Sequence, residues 1–521
     1  MTSLRVMFSR KPLLSSPDES DYAQGPRLRR SLGVVSLTAF GIGNTIGAGI
    51  FVLTGTTAAH HAGPAVALSF VFAAGVCLLA GLCYAELAGL TPVAGSAYSY
   101  AYHTLGEGVA WVIGWCLMLE YMFSAALVAI GWSGYFTAAL HDLGLELPRA
   151  ITGAAKIHQS DGHIAWIDWS VDLPAMLVTL ACTAMAILET KVSSTVNTVV
   201  VAAKIATILA VICFGAIYVN PDNWRPFIPP NTGVFGEFGW SGVALGASVV
   251  FFAYLGFEGV STLSEEARDP LSTIPASILA SLTICSALYV GVGIVITGIA
   301  NYRQLDVPDP LYFALQVATP GAAWLKVAVI IGAIVGLISV VFFSILGQAR
   351  IFMAMARDGL LPPALGRIDK DRHTPVVGTL VTGLIATVAA GLVPLDVLSE
   401  LISMGTLIPF AVVCAGVLVL RYTHPDAPRM FRTPCVPLVP AAGVMSCVAL
   451  MFSLPSDTWL QLAIWLAIGM VFYAAYGYRH SKLRAPGAGI VSIPRPASRR
   501  DMISGWRASI RSRLSKSSRF R

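Results

Sequence analysis

GIGNTIGAGIF, residues 41–51, places glycine at 41, 43, 47 and 49 inside an otherwise apolar run. Each glycine weakens a helix by about 0.5–1 kcal/mol relative to alanine, so this density marks either a close-packing face or a segment that is not helical. Gly43 and Gly47, four residues apart, suit a packing face. An unwound segment is tolerated at membrane depth only where it lines a cavity. Taken alone, the stretch supports both readings. A second interruption weighs between them: FFAYLGFEGVST, 251–262, brings glycine, aromatics and a carboxylate into another apolar run about 210 residues later. Glycine-interrupted segments at corresponding positions of two halves point to the binding site of a transporter.

Working outward, the chain of 521 residues is 56% hydrophobic and 12% charged, with a mean hydropathy of +0.72. Soluble domains carry about 25% charged residues. No lysine or arginine lies between Ser31 and Pro148, which excludes a solvated surface over that length. Apolar runs long enough to cross the hydrocarbon, which takes about 20 residues, cover 34–58, 65–89, 108–140, 172–189, 196–219, 243–262, 275–299, 323–354, 375–393, 396–421, 437–453 and 458–478. The runs at 172–189, 375–393 and 437–453 are marginal. The expectation is an all-α polytopic membrane protein with twelve transmembrane helices. A transporter domain spans 31–480, between tails at 1–30 and 481–521.

The charge distribution sets the orientation. Of the 34 basic residues, 18 lie in the tails, 6 in 1–30 and 12 in 479–521. With the N-terminus inside, the inside segments and tails hold 28 basic residues against 5 outside, Arg149, Lys156, Arg225, Arg303 and Lys326. Arg268, Arg350, Arg421 and Arg429 are among the inside set. By the positive-inside rule both termini are cytoplasmic, in the cell (plasma or inner) membrane. Basic tails beside transmembrane helices suit anionic inner-leaflet lipid, not nucleic acid. No cleavable signal is expected, since the first 30 residues are polar.

Each interruption opens a set of five runs, 1–5 and 6–10, and the first run points outward while the sixth points inward. An inverted repeat, about 33–219 and about 241–421, is therefore allowed, with two added helices at 437–478. At a helix break, free amides and a positive half-dipole face whatever fills the gap. The amides around Gly47, Ala48 and Gly49 would hold a carboxylate without a basic side chain. The freed carbonyls would accept from an ammonium group.

The intramembrane charges have competing readings. Glu120 lies mid-run, where a carboxylate costs at least ~2.5 kcal/mol on insertion scales. It marks either a pathway or a protonated acid bonded to a neighbouring helix. Lys204 either snorkels to the cytoplasmic interface or faces the breaks as a titratable cation, and so as a proton carrier, where a sodium ion would otherwise sit. Glu258 is read as part of the inward pathway or as a shielded cap. Glu86 reads as the cytoplasmic end of the second run, and Glu400 as an interface residue. Trp111, Trp115, Trp459 and Trp465 read as interfacial anchors. The nine cysteines show no metal or redox spacing and read as small apolar residues. No nucleotide-binding P-loop and no catalytic or metal-binding motif is present, so no cofactor is expected.

Four motifs carry a resemblance: GIGNTIGAGIFVLTG (41–55), CYAELAGLTPVAGSAYSY (83–100), FFAYLGFEGVSTLSEEARDP (251–270) and SILGQARIFMAMARDGLLPP (344–363). Over about 30–480 the chain resembles the amino acid–polyamine–organocation superfamily, nearest its bacterial cationic amino acid transporter-like branch. The resemblance implies a five-plus-five inverted repeat with broken helices 1 and 6 and two extra helices, working by alternating access. It implies that the substrate carboxylate binds at Thr45, Ile46, Gly47, Ala48 and Gly49. Phe252 would gate the site with Ala253 and Tyr254 beside it, and Glu258 is a second gate candidate. Glu120 would lie near the substrate side chain, and Lys204 would occupy the sodium position and couple protons. The chain departs from eukaryotic members in having twelve runs, not fourteen, and in a turn, TPVAG, without the basic residue often found there. The expected function is proton-coupled uptake of cationic amino acids, arginine or lysine. The alternatives are a broad neutral amino acid permease, an amino acid/polyamine exchanger or uniporter and, from another class, a membrane receptor or channel.

Overall fold

The computed structural model describes residues 32–484 apart from 91–94, 154–155, 161–162, 169, 189–193, 264–265, 319–322, 370–373, 428 and 430. The expected tails and most of the TPVAG turn lie outside the described residues. All twelve apolar runs are helical over most of their length, the first and sixth with a break. The main helices within these runs, shorter ones aside, are α1 Val34–Thr45, α2 Val66–Leu90, α3 Glu107–Asp142, α4 Leu173–Ile187, α5 Ser194–Gly215, α6 Gly239–Val250, α7 Pro270–Ile299, α8 Ala323–Arg357, α9 Val376–Leu392, α10 Leu395–Thr423, α11 Leu438–Ser453 and α12 Ser456–Phe472. Among the described residues, eight helical stretches are long and apolar enough to cross a membrane, while α1, α4, α9 and α11 are shorter apolar helices. The protein is an all-α polytopic membrane protein in its body. The loop at 141–171, in which the sequence offered no motif, holds one small antiparallel hairpin, β1 Lys156–Ser160 with β2 His163–Asp168.

The bundle is organised around α3 and α8. At 36 and 35 residues, each runs to about 54 Å at 1.5 Å per residue, longer than the ~30 Å hydrocarbon, so both reach past it or tilt. They pack on one another, as do α2 and α7, while α1 lies against α5, α7 and α8. Apolar side chains that face away from the bundle, such as Leu380 and Leu384 on α9 or Ile464 and Ile468 on α12, are the surface a bilayer would cover. Trp111, Trp115 and Trp465 depart from the interfacial expectation. Trp111 is buried and donates to the Gly469 carbonyl (3.1 Å). Trp115 and Trp465 donate to one another's carbonyls at 2.8 and 3.1 Å, which clamps α12 onto α3.

Glu86, at the end of α2, is fully enclosed. It accepts from Arg421 Nη2 (2.9 Å), Arg429 Nε (2.9 Å) and the Thr433 amide (2.7 Å), joining α2 to α10 and the loop beyond it. Removing one partner of a buried ion pair costs about 3–5 kcal/mol because the other charge stays uncompensated. Glu86→Gln is therefore expected to lower the melting temperature of the purified protein in detergent clearly. An unchanged melting curve would mean that water, not Glu86, satisfies the arginines.

Candidate functional site

The first break follows α1. Ile46 leaves helical geometry (φ −73°, ψ 94°), and helix resumes as a π-helical stretch, Gly49–Leu53. The first amides to bond back after the break are Ile50 and Phe51, both to the Gly47 carbonyl at 3.3 Å. Those of Gly47, Ala48 and Gly49 precede them, as at any helix N-terminus. The second break lies between the one-turn segment Phe251–Tyr254, which extends α6, and the segment Glu258–Leu263. Leu255 is extended there, and Gly256 has φ +114°, a left-handed geometry that favours glycine. The two breaks touch. A Cβ on Gly49 would overlap the Cα and Cβ of Ala253, so only glycine admits this approach.

The carbonyls freed by the breaks have partners, as unsatisfied backbone at this depth would be costly. Lys204 Nζ donates to Gly43 O (2.6 Å) and Ile46 O (3.0 Å). Tyr289 Oη donates to Thr45 O (2.8 Å), and Tyr135 Oη to Phe51 O (2.7 Å). Asn44 Nδ2 donates to Gly256 O (3.2 Å) and so ties one break to the other. The Gly256 amide donates to both carboxyl oxygens of Glu258, at 3.0 and 2.8 Å. Lys204 is 1% exposed, and its ammonium binds the first break instead of reaching for the interface.

A cavity with about 380 Å³ of space between atoms opens at the paired breaks. Thr45, Gly47, Ala48 and Gly49 line one wall, and Phe252, Leu255, Gly256 and Glu258 another. Glu120, Tyr121, Ser124 and Val128 come from α3, and Val340 and Ser344 from α8. Glu120 is 2% exposed and Glu258 1%, and both line the cavity. Three buried polar atoms of the lining lack a hydrogen-bond partner among the described residues: Thr45 Oγ1, Glu120 Oε2 and Tyr121 Oη. Buried polar atoms rarely stay unpaired, and their convergence on one cavity points to a polar ligand.

The structure thus brings Thr45, Gly47, Ala48, Gly49, Glu120, Phe252 and Glu258 to one cavity. Ile46 contributes its carbonyl to Lys204 and is not in the lining. Ala253 forms the contact with Gly49, and the Tyr254 hydroxyl turns away to the Phe70 carbonyl (2.9 Å). Glu400, near the start of α10, accepts from Thr458 (2.8 Å), remote from the cavity lining. The sequence reading missed Asn44, Tyr121, Ser124, Val128, Leu255, Gly256, Val340 and Ser344 as site residues. Asn44 and Tyr121 adjoin residues it singled out, whereas nothing in the apolar text of α8 marks Val340.

The sequence model of the family described as "Amino acid permease" matches residues 32–474. Among relatives, the methylthioribose transporter of Bacillus subtilis is 43% identical, over 92% of this chain and 99% of its own. The branched-chain amino acid permease BcaP of the same organism is 41% identical, over 88% and 95%. The vacuolar cationic amino acid transporter 4 of Arabidopsis thaliana is 38% identical over 77% of this chain and 65% of its own. A cavity at two touching helix breaks and a family match across the whole bundle agree, and the chain belongs to the amino acid permeases of the amino acid–polyamine–organocation superfamily, multi-pass membrane proteins that transport and do not catalyse.

Proposed function

We propose that this permease is a secondary active transporter of the cell membrane with both termini cytoplasmic. It takes up cationic amino acids by alternating access of two inverted repeats, about 33–219 and 241–421, and couples uptake to protons through Lys204. The observation that supports this reading most is the ammonium of Lys204 on the Gly43 and Ile46 carbonyls. A cation that can lose its proton at the hinge of a broken helix links protonation to the geometry of the carboxylate site. The substrate carboxylate would take the amides of Gly47, Ala48 and Gly49, closed over by Phe252, with Glu258 as a second gate. The unpaired oxygen of Glu120 would then accept from a cationic side chain. Lipid contacts of the basic tails belong to the same reading.

A second reading is a neutral amino acid permease, and two observations favour it. Val128, Val340 and Leu255 give the cavity an apolar wall. The Gly256 amide donates to both carboxyl oxygens of Glu258, which leaves that carboxyl group less available to a cationic side chain. The similarity to the branched-chain permease agrees with that reading.

Uptake of radiolabelled arginine, lysine, leucine and a polyamine into proteoliposomes, with and without an inward proton gradient, separates the two. Glu120→Gln is expected to cut arginine uptake about tenfold, the worth of one charge-assisted hydrogen bond, and to leave leucine within about twofold. Unchanged arginine uptake in that variant would remove Glu120 from cation recognition. Uptake indifferent to the gradient in the unaltered protein would remove the coupling.

A further inference from the structure

A second cavity, with about 320 Å³ between atoms, lies directly beneath the central one. Asn44 and Tyr121 line both. The other lining residues place its direction. Phe40 lies one turn before Asn44 on α1, Gly259 and Thr262 follow Glu258 after the second break, and Arg350 follows Ser344 on α8. All step toward the end of the bundle where α1 begins, the face read above as cytoplasmic. Phe40 and Phe343 meet edge to face at 5.0 Å on one wall. Arg350, with its side chain 28% exposed against 2% for Glu120, marks where this space approaches the surface.

From this arrangement we infer that the second cavity is a vestibular binding station for the substrate, with Arg350 taking the amino acid carboxylate on its way between the central site and the cytoplasm. The inference rests on the transport reading above. Arg350 is the one cation among the lining residues, and a guanidinium is the side chain best shaped for a carboxylate. Its present partner is exchangeable: Glu266 Oε1 accepts from Arg350 Nη2 at 3.3 Å, and both side chains remain over a quarter exposed. Between the two spaces stands Tyr121, 4% exposed, its hydroxyl unpaired among the described residues and its ring seated against Gly347. A phenol in that wall offers a donor to the carboxylate from either side, so Tyr121 is the partition that the substrate passes. Glu266 also belongs to the segment bridged to the start of α1, where the Leu32 amide donates to the Glu266 carbonyl (3.1 Å) and the Arg268 amide to the Leu32 carbonyl (3.0 Å). A carboxylate that draws Arg350 from Glu266 therefore loosens α8 from the ends of both broken helices.

The test measures transport from each face, in inside-out and right-side-out vesicles, with radiolabelled leucine and arginine on the full chain. Arg350→Gln is expected to raise the KM from the cytoplasmic face about tenfold and to leave that from the opposite face within about twofold. Arg350→Lys, which keeps the charge but not the fork, should fall between the parent and Arg350→Gln, and Glu266→Gln should leave or lower the cytoplasmic KM by freeing the guanidinium. Equal impairment by Arg350→Gln and Glu266→Gln, or full recovery in the swapped pair Arg350→Glu with Glu266→Arg, would make the pair a latch only and overturn the station. A parent that transports neither probe would overturn the transport reading and the station together. A transporting parent with no facial asymmetry in Arg350→Gln overturns the station alone.

Discussion

Gly49→Ala is expected to reduce amino acid uptake by about 100-fold or more. The added methyl would fall on the Cα and Cβ of Ala253 and within 2.9 Å of its amide nitrogen. These are atoms of a second backbone, not the end of a flexible side chain, so the two breaks must move apart. Separation displaces the amides of Gly47–Gly49 from the facing wall at Phe252, and misplacement by about 1 Å at a working site costs on the order of a hundredfold. Ala253→Gly added to Gly49→Ala removes only one of the three close contacts, so the double variant is expected to recover little. Proteoliposome uptake is the measurement, with gel filtration and melting as controls on folding. Uptake within twofold of the parent would show that the breaks are not held at this separation during transport.

Lys204→Ala carries the second large effect. It removes both hydrogen bonds to the Gly43 and Ile46 carbonyls. A hydrogen bond from a charged donor is worth about 1.5–3 kcal/mol, so the first break loses a principal brace and the melting temperature should fall. More telling is the functional split between two replacements. Arginine stays protonated in proteins, whereas lysine can release its proton. Lys204→Arg is expected to keep most of the stability lost in Lys204→Ala and yet to lose the response of uptake to a proton gradient. If Lys204→Arg still follows the gradient, Lys204 is a brace and not a carrier.

Much of this was legible beforehand. The runs at 108–140, 275–299 and 323–354 reappear as α3, α7 and α8 within a few residues, because backbone in a bilayer must close its bonds locally. Glycine density at 41–49 and the carboxylate at 258 marked the two breaks, since both are costly inside an apolar helix. What was missed shares a cause. Trp111 near a span end looked like an anchor, and Glu86, which does lie near the end of α2, showed nothing of its partners. Each is instead buried against a segment over 300 positions away, Gly469 for one and Arg421 and Arg429 for the other.

What the residues alone determined was that the chain enters a membrane, where its helices fail, and which charges cannot be lipid-facing without a cost. Tertiary structure decided which partners close the breaks: Lys204, 161 positions from Gly43, Tyr289, 244 from Thr45, and Asn44, 212 from Gly256. It also decided that Tyr121, Val340 and Ser344 complete the cavity. The physical reason is that a membrane helix has similarly apolar residues toward lipid and toward protein, so no amphipathic stripe announces its inward face. Only packing selects that face, and with it the site.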